Sequence, residues 1–320
     1  MLKKTMLLVV AMALLAGCPA SEKPAAKAAR PMVVTTLFPL YDFARSMAGD
    51  RMEVVLLLPP GVEPHHFDPR PEDIARIQQA ALFVHTGAFM EPWAERVLAG
   101  TDRGKVLVLA AADGVSLMNI EEKGQGSRGK GHEEHKEHDH GEHGVDPHVW
   151  LDFDNDRIMV ERIAAALSQV DPAGAQVYRQ RAAALVKRLD DLDRRYREGL
   201  ASCSSRMVIH GGHNAFGYLG RRYNLTYRAA AGVSAEVEPA PRRLAELVKL
   251  VRSTKSKAVF SEELVSPRIA QVISRETGAT VLKLHGAHNV AKDELTRGVT
   301  FFDLMDENLK NLRTGLVCAN

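Results

Sequence analysis

The sequence predicts an α/β protein of two lobes, each a mainly parallel sheet flanked by helices, joined by one long rigid helix. Three observations carry this reading. Short β-branched runs alternate with helical stretches in both halves of the chain, which indicates parallel βα units with both sheet faces covered. One helical stretch, Pro172 to about Leu200, far outlasts the others and meets glycine only near its ends, at Gly174 and Gly199. Residues 32–320 are also a length that suits two domains of ordinary size.

In the first half, Met32-Val33-Val34-Thr35-Thr36-Leu37 reads as a buried strand, followed by a helix from Leu40 to Ala48 that stops at Gly49. Met52 to Leu58 is a second strand, and Pro59-Pro60-Gly61 force a loop after it. Pro71-Glu72-Asp73 open a helix through Ala80, with proline early and acids in the first turn. Ala81 to Val84 is a strand, Glu91 to Leu98 a helix, and Val106 to Leu109 a strand. From Glu121 to Gly144 the apolar pattern vanishes and the stretch reads as a solvated loop. A helix from about Asn155 to Ser168 follows.

The long helix carries Leu185, Leu189, Leu192, Tyr196 and Leu200 at helical spacing, one narrow apolar stripe on a surface of Arg, Lys and Asp. Such a rod spans about 40 Å at 1.5 Å per residue. The second half repeats the plan without a residue-level repeat. Strands are expected at Arg206–Ile209, Leu225–Tyr227, Ala258–Phe260 and Thr280–Leu284. Helices are expected at Ala215–Tyr223, Pro241–Ser253, Pro267–Thr277 and about Phe302–Arg313. The divisions are therefore 32–170 for the N-terminal lobe, with the loop at 121–144, 171–201 for the linking helix and 202–320 for the C-terminal lobe.

Residues 1–18 read as an export signal. Lys3 and Lys4 give a positive start, and Met6 to Leu15 is an apolar stretch too short to span a bilayer comfortably. It runs into Leu15-Ala16-Gly17-Cys18, which resembles a bacterial lipobox with Cys18 as the lipidated residue. Residues 19–31, rich in Ala, Pro and Lys, read as a flexible tether. The expected location is periplasmic or at the cell surface, held to a membrane by the lipid anchor only. A net charge of +2 points to no nucleic-acid partner. The remaining cysteines, Cys203 and Cys318, form an even pair outside the cytoplasm and are expected to be a disulfide.

The chemistry lies in the histidines. Glu63-Pro64-His65, Asp146-Pro147-His148 and His213-Asn214-Ala215-Phe216-Gly217 are three distant motifs, and His132 to His143 holds five histidines in twelve residues. Histidine is the commonest side-chain metal ligand and is mostly neutral at pH 7. Proline before the ligand fixes φ and reduces the freedom lost on ordering it. His65, His213 and His288 each lie a few residues past an expected strand, where loops of an α/β sheet gather around a crevice. His65 and His148 would come from one lobe, His213 and His288 from the other. Separations of 83, 65 and 75 residues match no compact zinc-finger spacing, so the fold has to assemble the site.

Gly61-Val62-Glu63-Pro64-His65-His66-Phe67-Asp68-Pro69-Arg70-Pro71-Glu72-Asp73, Asp146-Pro147-His148-Val149-Trp150-Leu151-Asp152 and His213-Asn214-Ala215-Phe216-Gly217-Tyr218 together resemble the ligand motifs of the zinc/manganese solute-binding lipoproteins of ABC transporters. The similarity covers nearly everything from Met32 onward. It implies two α/β lobes joined by a long rigid helix, a metal in the cleft, and delivery to an ABC transporter permease. The chain is expected to act as a monomer. Carried over by motif, His65, His148 and His213 are the first three ligands. In that family the fourth is Asp, Glu or His of the C-terminal lobe, or water. His288 is taken here, with Glu262 and His285 as rivals. A four-imidazole site favours Zn2+, and carboxylate or water ligands suit Mn2+ better. His66 and His210 are expected to pack or hydrogen-bond beside the ligands. The stretch His132 to His143 is either a weak metal collector or a solvated linker of biased composition.

The leading expectation is a binding protein, not an enzyme. A manganese-binding member of the same family is one alternative and a secreted zinc hydrolase another. The hydrolase needs an open coordination position and a general base, and the chain has no His-Glu-x-x-His. A surface adhesin on the same fold is a third reading. No phosphate loop appears, so the chain is not the transporter's ATPase.

Overall fold

The computed structural model describes residues 30–120, 144–232, 239–264 and 266–319. The expected export signal with Cys18, the tether through residue 29 and the histidine-rich stretch lie outside the described residues.

In the first half, β1 (Met32–Thr35) pairs in parallel with β2 (Glu53–Leu56) and β3 (Leu82–His85), and β4 (Leu107–Ala110) completes the order β2-β1-β3-β4. Alternate residues of a strand face opposite sides. Val33, Leu82 and Val84 therefore pack with Phe43 of α1 (Phe38–Ala48) and Val160 of α4 (Phe153–Val170) in one cluster. Val34 and Phe83 point the other way, against Ile77 of α2 (Pro71–Gln79) and Trp93 of α3 (Pro92–Ala99).

After α5 (Ala175–Ala201), the second half repeats this plan with β5 (Met207–His210), β6 (Thr226–Ala229), β7 (Ala258–Ser261) and β8 (Thr280–Lys283), all parallel, in the order β6-β5-β7-β8. Ile209 and Val259 face α7 (Pro241–Thr254) and α8 (Arg268–Thr277), while Val208 and Phe260 share a cluster with α10 (Phe301–Gly315). The short helix α6 (Gly217–Arg222) follows the His213 loop, and α9 (Lys292–Thr296) follows the His288 loop.

The inner faces of both sheets drain into one apolar core. Phe43 of α1 meets Phe301 of α10 edge-on with ring centres 5.2 Å apart, and Phe153 at the start of α4 lies 5.3 Å from Tyr196 of α5 and 6.4 Å from Phe301. Truncating a ring at such a junction costs about 3–5 kcal/mol. Asp42 of α1 adds a polar tie, accepting the Phe301 backbone N–H at 2.8 Å at the start of α10.

The long helix buries Tyr178, Leu185, Leu189, Leu192, Tyr196 and Leu200 along one stripe. It starts at Ala175 because Pro172–Gly174 form a 3-10 turn capped by Asp171. Its far end meets the C-terminal segment, where the Tyr196 hydroxyl donates to the Met305 carbonyl at 2.6 Å and Cys203 is disulfide-bonded to Cys318. Other boundaries move for local reasons. α4 begins at Phe153, not Asn155, because Asp152 caps it by accepting the Asp154 N–H at 3.1 Å. α9 is absent from the sequence reading. Its five residues carry too little apolar pattern, and Glu294 holds it by accepting the Ala291 N–H at 2.9 Å. Among the described residues no helix is long and apolar enough to cross a membrane.

Candidate metal centre

The loops that follow β2, β5 and β8 carry His65, His213 and His288, and their rings come together with that of His148. His65 stands on the loop after β2. Its backbone N–H donates to Glu63 Oε2 at 3.0 Å, and the other lobe pins the loop. Asn289 Nδ2 donates to the carbonyls of Pro59 and Val62, each at 2.8 Å, and the Gly61 N–H donates to the Val290 carbonyl at 2.9 Å.

His148 lies in a turn before α4 and is fully buried. Asp146 Oδ1 accepts its backbone N–H at 3.0 Å and faces its Nδ1 at 2.8 Å. A carboxylate only accepts, so Nδ1 carries the proton and Nε2 presents its lone pair. His213 follows β5 and is held alike by Glu262, which accepts its backbone N–H at 3.1 Å and pairs with its Nδ1. Any Cβ at Gly212 would collide with that carboxylate, so only glycine fits there.

The three Nε2 atoms converge. His148 Nε2 is 3.2 Å from His65 Nε2 and 3.1 Å from His213 Nε2. A tetrahedral ion with nitrogen ligands at 2.0–2.1 Å separates them by about 3.3 Å. With both Nδ1 protons committed to carboxylates, the Nε2 atoms of His148 and His213 meet lone pair to lone pair. That contact is satisfied by one shared proton or by a cation.

Electrostatics distinguishes the rings. Burial, then the neighbouring imidazoles, push His65 down to about 2. Burial also lowers His148, against the pull of Asp146, and drives His288 well below its ordinary value. Burial opposes charge on His213 too, but Glu262 outweighs it and raises that ring. Glu262 moves the opposite way, with the His213 contact overcoming its own burial.

His288 borders this group. Its ring centre lies 5.6 Å from that of His213, 6.3 Å from His148 and 6.4 Å from His65, and its Nδ1 is buried without a hydrogen-bond partner. Ala287, just before it, takes a left-handed backbone with φ of 60°. Among the described residues, the single set of three or more His, Cys, Asp or Glu with ligand atoms within 4.8 Å of one another is His65, His148 and His213. Glu262 contacts both the backbone N–H and Nδ1 of His213. His285 Nδ1 accepts the Ala287 N–H at 2.9 Å and lies 3.2 Å from Glu263 Oε1, so it belongs to a neighbouring network. His210 lies behind the group, its Nδ1 3.1 Å from the His213 carbonyl.

Sequence reasoning assigned no role to Glu63, Asp146 or Glu263. The first two were in view as the acidic residue two places before each histidine, the spacing at which a carboxylate returns to its neighbour's N–H. Glu263 gave no such signal.

Comparison with known proteins agrees with this geometry. Residues 33–315 match the family model of the zinc-uptake complex component A, periplasmic, ZnuA. The chain belongs to the ZnuA family. It is 35% identical over 285 residues to the high-affinity zinc uptake system protein ZnuA of Bacillus subtilis, covering 89% of this chain and 87% of that one. The zinc-binding lipoprotein AdcA of Streptococcus pneumoniae is 33% identical over 281 residues, which span 88% of this chain but 55% of AdcA. Among solved structures, the metal-dependent lipoprotein YcdH of Bacillus subtilis superposes with a TM-score of 0.75 at 31% identity, covering 90% of this chain and all of that one (100%). The Zn(II)-bound ZnuA-like domain of Streptococcus pneumoniae AdcA gives 0.74 at 31% identity, covering 90% of this chain and 99% of that domain. Two four-stranded parallel sheets flanked by helices and joined through a long helix are the architecture expected from the sequence.

Proposed function

We propose that this protein captures Zn2+ between its lobes, outside the cytoplasm, and hands it to the permease of an ABC importer. The observation that carries the reading is the convergence of the Nε2 atoms of His65, His148 and His213 at 3.1–3.2 Å around one point. His288 is the fourth ligand in this reading. Its buried, unpartnered Nδ1 and the closeness of its ring to the other three support a four-imidazole cage. Such a set favours Zn2+ over Mn2+ and leaves no open position for hydrolysis. Residues 32–170 and 202–320 are then the two jaws, Cys18 carries the lipid anchor, and the chain works as a binding protein.

Titration of the metal-free protein with Zn2+ and with Mn2+, alongside His148→Ala, tests the proposal. Zinc is expected to bind at one tight site, manganese far more weakly, and the variant to lose about ten-fold or more in affinity. Undiminished zinc binding by His148→Ala would remove the cleft as the site.

A further inference from the structure

The loop of His148 is held from the opposite lobe by α6, the helix that begins four residues after His213. Tyr218 of α6 is fully buried, and its hydroxyl accepts the Met118 N–H at 2.9 Å while donating to the Asp146 carbonyl at 3.0 Å. Met118 and Asp146 already face each other across an antiparallel stem. Asp146 N–H donates to the Met118 carbonyl at 2.8 Å, Asn119 bridges Val145, and Ile120 N–H donates to the Gly144 carbonyl at 2.9 Å. In a regular pair the Met118 N–H would bond directly back to the Asp146 carbonyl. The tyrosine hydroxyl is inserted in that bond and holds the rung open.

Two further contacts make this a grip. A Cβ on Gly217 would stand 2.7 Å from Asp146 Oδ2, so the start of α6 lies directly against the carboxylate that orients His148. Beyond the ligand, Arg222 donates to Asp152 Oδ1 at 2.6 Å. The segment 146–152 is thus clasped on both sides of His148 by the helix that follows His213.

We infer that Tyr218 is a positioning residue for metal capture: by propping the Met118–Asp146 rung it sets the Asp146 carboxylate, and through it the reach of His148 Nε2 toward His213 across the cleft. The inference rests on the zinc-capture reading above. Without the hydroxyl the rung closes on itself and carries Asp146 away from its place under His148.

The test compares zinc affinity in wild type, Tyr218→Phe, Gly217→Ala and Tyr196→Phe. Tyr196→Phe deletes a comparable buried hydroxyl, bonded to the Met305 carbonyl, that touches no histidine loop. Tyr218→Phe and Gly217→Ala are expected to raise the zinc Kd by about five-fold or more and to shift the His148 Nδ1–H resonance of the zinc-loaded protein, while Tyr196→Phe lowers thermal stability and leaves Kd within about two-fold. A Kd within about two-fold of wild type in both α6 variants overturns the inference, as does an equal loss in Tyr196→Phe or an unmoved His148 resonance. If Tyr218→Phe does not fold, Gly217→Ala decides by the same criteria. A wild-type protein that binds no zinc rejects the capture reading itself, a result distinct from wild-type affinity in the variants.

Discussion

Asp146 touches His148 twice through one oxygen, at the backbone N–H (3.0 Å) and at ring Nδ1 (2.8 Å). That double contact fixes both the ring's orientation and which nitrogen is free. Asp146→Asn keeps the shape but can turn an NH2 toward the ring. It is expected to weaken zinc binding by about 10- to 100-fold. Isothermal titration in competition with a chelator measures this, and an unchanged Kd would show that the ring needs no carboxylate.

The buried histidines set a pH response. His65 is held down at about 2, His85 and His210 at about 4, and His148 and His288 are lowered too, in each case with burial as the largest cause. These five rings stay neutral when folded and take up protons on unfolding below their ordinary value of 6.5. Their contribution to stability is present above pH 6.5 and is lost as pH falls toward each folded value. His213, raised by Glu262, runs the other way: its contribution is present below 6.5 and lost as pH rises through its folded value. With five rings against one, the metal-free protein is expected to weaken steadily below about pH 6.5. Urea midpoints at about pH 7.5, 6 and 5 follow this, and a midpoint that rises on acidification contradicts it.

The tie between α1 and α10 is open to the same treatment. Asp42 Oδ2 accepts the Phe301 N–H at 2.8 Å, and Arg45 Nε donates to Asp42 Oδ1 at 2.9 Å. Asp42→Ala leaves the start of α10 uncapped from that side and is expected to cost about 1–2 kcal/mol in chemical denaturation, with zinc Kd unchanged. A loss of zinc affinity equal to the loss of stability would mean that this tie also shapes the cleft.

The disulfide between Cys203 and Cys318 closes a loop of 115 residues in sequence. Replacing both cysteines with serine is expected to lower stability by about 2–4 kcal/mol through the freer unfolded chain. Zinc binding should survive, since the bridge joins the end of the chain to the region just after α5, away from the histidine loops. Calorimetry with and without zinc separates the two effects.

Most of the fold was legible because strand and helix periods differ and proline and glycine punctuate them. The runs at Val33–Val34 and Val208–Ile209 and the stripe from Leu185 to Leu200 each landed on an element. The convergence of His65, His148 and His213 followed from motifs shared with a known family, not from spacing, because side chains 83 and 65 residues apart meet only after folding. The carboxylates behind the rings were harder to read. Glu262 reads as a candidate ligand in sequence, and its contact with His213 Nδ1 appears only once the chain is folded. Tyr218 was quoted within a motif, but nothing in a linear chain says that its hydroxyl would reach a rung formed by residues 118 and 146.

Phe43, Phe153, Tyr196 and Phe301 draw rings from helices of both lobes and from the long helix into one cluster. Neither half is therefore a free-standing module. A gene fragment ending near residue 170 would leave Phe43 and Phe153 bare to water, and one starting near residue 202 would do the same to Phe301. Chimaeras that exchange halves between relatives inherit this constraint: the swapped piece must bring rings that mesh with those it meets, or the hybrid loses its centre before the histidines can assemble.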